Sequence, residues 1–254
     1  MAVSSGGSDN NAIDAMAFVL HFDSPFDIRA LQSVSHDLFE KQRYPKFAHS
    51  QVQRVEIQNG FSHIQQEQMA LPLWQKYRED GRVIHELRCE PQSIIFLCAD
   101  YTRWAAVLPQ ALLDLNTLAN QVANEKSLMK VSLQTTDKFK LNKAESAFDN
   151  LLSTTSRYLT QNVTQTDSQL WHVHQGWFDP TGEGRCLNVL NISLVENGET
   201  VEVAVDHISD TGLNEPSKLC DLNIEGLFNQ SHEFNKLILS DLLQDHIKGS
   251  IGLN

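Results

Sequence analysis

The run Trp171-His172-Val173-His174-Gln175-Gly176-Trp177 holds the residues whose types and spacing come closest to chemistry. Side chains alternate along an extended strand, so His172 and His174 share one face while Trp171, Val173 and Trp177 share the other. Two imidazoles two positions apart can hold a transition metal if a neighbour supplies a third ligand. Asp167, Asp179 and Glu183 are near in sequence, and a metal-dependent hydrolase is the enzyme such a set would make. No HExxH helix and no cysteine pair completes it. The plainer reading, a polar strand face beside a packed aromatic one, therefore carries more weight.

Other chemistry-bearing patterns are weaker still. The chain has no GxSxG, no GxGxxG and no P-loop, and Thr181-Gly182-Glu183-Gly184 is a two-glycine turn rather than a phosphate cradle. No cofactor is called for. The four cysteines, Cys89, Cys98, Cys186 and Cys220, form no CxxC pair, so neither a zinc knuckle nor a redox motif is spelled out. Reduced thiols in a cytoplasm are the simplest account. Tyr101 and Trp104, at the start of a helix, offer either a recognition corner or a pin holding that helix to a sheet. Together with Trp171, His172, His174 and Trp177 they form the candidate partner-binding set.

The formal net charge is −12, from 20 basic and 32 acidic residues. Such a surface repels phosphate backbones on average and weighs against a dedicated nucleic-acid binder. Lys126, Lys130, Lys138, Lys140 and Lys143 form a local basic run, the one strip through which RNA or DNA could be held. The apolar share is 41% and the charged share 20%, as in ordinary globular proteins. No apolar run is long enough to span a bilayer, so no membrane partner is expected. Residues 1–14 are small and polar and read as a disordered leader, without the basic start and apolar core of a secretory signal.

The elements that must position these residues are clearest in 73–122. Asp80-Gly81 and Glu90-Pro91-Gln92 separate three short strands, and Tyr101-Thr102-Arg103-Trp104 opens a long amphipathic helix. Before it, 16–22 reads as a strand, 25–41 as a helix behind Ser24-Pro25, and 51–58 as a strand. The stretch 61–71 has too little pattern to assign beyond a loop or short helix. After it, 127–133 reads as a strand, 142–159 as a helix and 169–178 as a strand. Asn197-Gly198 makes a hairpin of 186–195 and 200–208. A long C-terminal helix carries Ile224, Leu227, Phe228, Phe234, Leu237, Ile238, Leu242 and Ile247 and stops at Gly249 after Lys248. Closing the hairpin on Asn197-Gly198 puts Leu190, Ile192 and Leu194 opposite Val205, Val203 and Val201, with His207 at the edge of that core row. Folding about Pro91 puts Cys98 opposite Ile84, away from Cys89.

The expected architecture is α+β. Two tandem units, 15–125 and 126–254, each run strand, helix, antiparallel strands, helix, with the helices on one face of an antiparallel sheet. This is the order of helix-grip and TATA-binding-protein-like folds, a likeness of topology that carries no function.

The whole-chain pattern resembles a sporadically distributed family of bacterial proteins of about this length, carried on mobile elements. The resemblance rests on the opening strand 13–22, on Trp74 followed by Glu79-Asp80-Gly81, on Tyr101-x-x-Trp104 and on 221–247. Asn11-Ala12 stands where that family usually has prolines. No catalytic residues are established for it, so the resemblance assigns none. It implies an exchangeable role such as phage defence or a toxin–antitoxin pair. The expected function is a non-enzymatic accessory or neutralising subunit with a protein partner, and a homodimer is compatible with it.

Overall fold

The strand β2 (Ile13–Phe22) joins the two halves of the chain, because it has a partner on each side. In the computed structural model, which describes residues 4–5, 12–58, 61–142, 147–165, 170–198 and 200–253, β2 lies between β6 (Ser93–Cys98) and β7 (Leu128–Asn142). Outward from β6 run β5 (Val83–Glu90), β4 (Phe61–Tyr77) and β3 (Lys46–Gln58). Outward from β7 run β10 (Thr200–Ser217), β9 (Gly184–Asn197) and β8 (Trp171–Thr181). Every pairing is antiparallel, and a short β1 (Ser4–Ser5) adds to β7.

Strict alternation makes one face of this sheet apolar. A single cross-strand row runs Phe47, Trp74, Leu87, Phe96, Phe18, Leu133, Ser209, Asn188 and Trp177, from one edge strand to the other. Its members from Trp74 to Asn188 are buried. Each fully buried large apolar side chain contributes roughly 1.5–3 kcal/mol before ordering costs. Two helices of 19 residues pack on this face: α2 (Trp104–Val122) against β6 and α5 (Ile224–Leu242) against β7 and β10. α2 buries Val107, Leu108, Ala111, Leu115, Leu118 and Val122 and runs on through Pro109.

The expected pair of tandem helix-on-sheet units, helix-grip or TATA-binding-protein-like, is not what forms. One large antiparallel sheet dominates, and it crosses the divide near residue 125 through the β2–β7 pairing. Helical content is smaller than expected. The helix read over 25–41 shrinks to α1 (Ile28–Ser33), capped by Asp27, and a single 3₁₀ turn at His36–Leu38. Among the described residues the helix read over 142–159 is only α3 (Ala147–Asn150), and another short turn, α4 (Gln161–Thr164), follows. Tertiary pairing overrides propensity there. Leu152 bridges Leu243, the Ser153 amide donates to the Leu242 carbonyl, and the Gln244 amide donates to the Leu151 carbonyl. The same contacts end α5 at Leu242 and start a separate α6 (Asp245–Ser250). The unassigned stretch 61–71 is strand, the first part of β4.

Two hairpin registers differ from expectation. β9 and β10 close on Asn197 opposite Thr200, so Val205 faces Ile192 and Val203 faces Leu194. The slip is two residues, which keeps every side chain on its face. His207 is buried opposite Leu190. β5 and β6 close on Glu90 opposite Ser93, which places His85, not Ile84, opposite Cys98. That slip is one residue and exchanges the faces.

The other end of β9 needs a glycine. A Cβ on Gly184 (φ 158°) would lie 2.1 Å from the Gly212 carbonyl oxygen of β10. Gly184→Ala is expected to destabilise the protein by about 1–3 kcal/mol, read as a lowered urea midpoint. An unchanged midpoint would show that this strand end relaxes freely.

Candidate functional site

The pocket with the most unusual chemistry lies where α2 begins. Arg103 precedes the first turn without capping it through its side chain, and Tyr101 is buried just before. The Trp104 indole N–H donates to Asn229 Oδ1 at 2.7 Å, and the ring stacks on His232 at 4.1 Å and 9°. Asn229, His232, Asn235, Lys236 and Leu239 follow helical spacing, so α5 turns one stripe towards this corner. β7 contributes Thr135 and Asp137 from its inward row, between Leu133 and Phe139. Thr135 Oγ1 donates to Asn235 Oδ1 at 2.9 Å. Ala12, Ile13 and residues 251–253 complete the lining of a cavity of about 350 Å³.

Asp137 is the anomaly in this pocket. It is fully buried, and although the Asn235 side chain approaches it, neither carboxylate oxygen receives a hydrogen bond of normal geometry among the described residues. Buried polar groups are nearly always satisfied, so an exception calls for a function or a ligand. Burial pushes its pKa up to about 7, with the charge of Asp206 adding and the Asn235 side chain opposing. His232 is drawn the other way, down to about 4, mainly by burial and next by the Lys236 charge. Its imidazole is therefore neutral near pH 7, and its Nδ1 has no partner. Burial also raises the Tyr101 phenol to about 12. The wall thus presents aromatic rings, one carboxyl group whose pKa burial raises, and neutral hydrogen-bonding groups. Arg103 is exposed, and Lys236 forms an ion pair with Glu233 at 2.9 Å.

The six residues singled out from the sequence fall in three places. Tyr101 and Trp104 line the pocket just described. Trp171 and Trp177 lie on the inward face of β8, against Phe148 and Tyr158 respectively. Trp177 Nε1–H donates to Asp179 Oδ2 at 2.9 Å, and the same oxygen accepts from Asn188 Nδ2 at 2.8 Å. His172 and His174 are exposed on the opposite face of this edge strand, opposite Ser193 and Asn191. His174 hydrogen-bonds Asn191, and Asp179 is on the tryptophan side of the strand. Asp167 lies outside the described residues. No third ligand joins the two histidines among the described residues.

The basic run is partly neutralised. Lys130 and Lys138 pair with Asp210 and Asp14 at 2.8 and 3.0 Å, and Lys126 reaches Ser24 Oγ at 3.1 Å. Lys140 is exposed, and Lys143 lies outside the described residues. Among the described residues no helix is long and apolar enough to cross a membrane.

Sequence reasoning misses Asp137 because it ends the strand near residue 133, and misses His232 and Asn235 because they are polar positions on a helix whose stripe is read from its apolar residues. A signal was present. Val131, Leu133, Thr135, Asp137, Phe139 and Leu141 alternate, and a carboxylate inside an otherwise inward-facing row marks an anomaly. Neither a protein-family model nor a curated protein matches this chain.

Proposed function

We propose that the chain is a non-enzymatic binding protein whose pocket takes a small molecule bearing a protonated amine. The buried, unpartnered carboxyl group of Asp137 on the cavity wall carries this reading. An ammonium group would supply the missing donors and hold the carboxylate ionised, since an opposite charge within a few ångströms favours the charged form. The Trp104 ring is stacked on both sides, by His232 and by Phe18, so it fixes the His232 wall of the pocket, and the Tyr101 ring is the aromatic face nearest a bound cation. Exposed Arg103 offers a seat for an acidic group on the same ligand, which favours an amino-acid-like molecule over a simple alkylamine. No serine or cysteine is among the described lining residues and the Thr135 hydroxyl behind them is already given to Asn235, so the arrangement supports holding a ligand rather than attacking it.

Thermal-shift and calorimetric titration with a panel of amino acids, alkylamines and their uncharged isosteres tests the proposal. A primary amine is expected to stabilise the wild-type protein, its isostere to fail, and Asp137→Asn to weaken binding at least about 10-fold, since hydrogen bonds to charged groups contribute about 1.5–3 kcal/mol. Equal binding by Asp137→Asn would overturn the assignment of the ligand group, and turnover of the bound amine would overturn the non-enzymatic reading. The wider role, an accessory or neutralising subunit in a defence-type system, rests on the family resemblance.

A further inference from the structure

The β5–β6 register has a chemical consequence away from the pocket. His85 and Cys98 are directly opposed across the two strands, and Asp100 follows Cys98 by two residues in the bend before α2. His85 Nε2 lies 2.7 Å from Asp100 Oδ1, and Cys98 Sγ lies 3.5 Å from the same oxygen. One nitrogen, one sulfur and one oxygen donor thus gather with all three ligand atoms within 4.8 Å of one another. The cysteine is buried at 1%, while the His85 and Asp100 side chains keep 20% and 33% of their surface. The cluster is closed behind and open in front. The Phe96 ring, 5.7 Å from the imidazole, forms an apolar wall beside it.

We propose that His85, Cys98 and Asp100 form a three-ligand site for a borderline-soft divalent cation, Zn²⁺ above others, with the fourth position open to water or an exogenous ligand. The donor set selects the ion. Mg²⁺ and Ca²⁺ call for oxygen ligands alone, whereas thiolate, imidazole and carboxylate together suit Zn²⁺. Zn–N and Zn–O bonds of about 2.0–2.2 Å in a tetrahedron separate those two donors by about 3.3 Å. His85 and Asp100 need only part by about 0.6 Å from their hydrogen-bonded separation. On binding, the Cys98 thiol loses its proton to solvent and the S–Zn bond replaces S–H. The ion's two positive charges are then matched by one thiolate and one carboxylate, and a neutral centre suits a half-buried position. Lys76, opposite His85 across β4–β5, opposes the incoming charge and limits the affinity.

The test uses the untagged full chain, stripped with a chelator and titrated with Co²⁺, then with Zn²⁺ in competition. One cobalt ion per chain is expected, with a thiolate-to-cobalt charge-transfer band that Zn²⁺ abolishes. Cys98→Ser should remove the band, and His85→Gln and Asp100→Asn should weaken binding at least about 10-fold. Cys220→Ser and the double variant His172→Ala/His174→Ala should leave it unchanged. X-ray absorption on the zinc-loaded wild-type protein, which needs no variant to fold, should show one sulfur and two or three nitrogen or oxygen neighbours. A wild-type protein that takes up no metal, a sulfur-free coordination shell, or a band that survives Cys98→Ser would each overturn the proposal.

Discussion

Replacing Asp137 by asparagine is expected to stabilise the protein near pH 8 by up to about 4 kcal/mol and to change nothing near pH 4. Burial raises the folded-state pKa of this carboxyl group to about 7 from its ordinary 3.8. The folded chain therefore holds the proton more tightly than the unfolded chain does. Its contribution is fully present below about pH 4 and is lost as the pH rises through about 7. Asparagine imitates the protonated acid at every pH, so the variant keeps what the wild type loses. His21, His207 and His232, each drawn down to about 4 with burial the main cause, act in the opposite direction. They remain neutral in the fold while the unfolded chain protonates, so their stability is lost as the pH falls from about 6.5 towards 4. Wild-type stability mixes the two trends, and the difference between variant and wild type isolates Asp137. A urea-unfolding difference that stays flat from pH 4 to pH 8 would show that Asp137 ionises in the fold as it does in solution.

The second large effect concerns a carboxylate that does have partners. Asp114 is fully buried in the middle of α2. It accepts from Tyr44 Oη at 2.7 Å and from Gln110 Nε2 at 2.7 Å, and it forms an ion pair with Arg43. Arg43 and Tyr44 follow the 3₁₀ turn, so this cluster pins the segment between α1 and β3 to the helix. Asp114→Ala is expected to cost about 3–5 kcal/mol, because it leaves the guanidinium without its counter-charge as well as removing the bonds. Tyr44→Phe should cost less, about 1–3 kcal/mol, since Arg43 and Gln110 still satisfy the carboxylate. Chemical denaturation of both variants checks the order. A loss under 1 kcal/mol in Asp114→Ala would mean that water replaces the aspartate without strain.

The contrast between Asp114 and Asp137 shows how far a sequence can be read. Both are acidic residues on the buried face of their element. At Asp114 the spacing of Val107, Leu108, Ala111, Leu115 and Leu118 defines the buried stripe of a helix, and an acid on it must find a partner. At Asp137 the alternation was equally regular, but the strand was stopped short, so its inward row was never completed. The stripe of α5 shows the same limit. Leu237 was placed in the core stripe because it is apolar, yet its side chain is 63% exposed while Ser231 and Asn235 are buried. The geometry of 100° per residue, not hydrophobicity alone, selects Leu227, Phe228, Ser231, Asn235, Ile238, Leu239 and Leu242.

Local chemistry was sufficient wherever a turn or an alternation determined the outcome. Gly81 adopts φ 85° behind Asp80, at the place its dipeptide indicates, and Gly198 adopts φ 63° behind Asn197, although Asn197 there pairs with Thr200 and the register moves by two. Alternation placed His172 and His174 on one face of β8 and both tryptophans on the other. Strand order and register are another matter, because they depend on pairings between residues far apart in the chain. A single-residue difference at the Pro91-Gln92 turn exchanges Ile84 for His85 opposite Cys98, and with it an apolar contact for a nitrogen, sulfur and oxygen cluster. The β2–β7 pairing turns two apparent units into one sheet. It also brings Asp137 to the corner that Tyr101, Trp104 and His232 close. The sequence by itself determined which residues could alternate, turn or cap, since those are properties of a few neighbouring residues. Only the tertiary structure decided which of them meet, since hydrogen bonds between distant strands choose among registers that local chemistry leaves nearly equal.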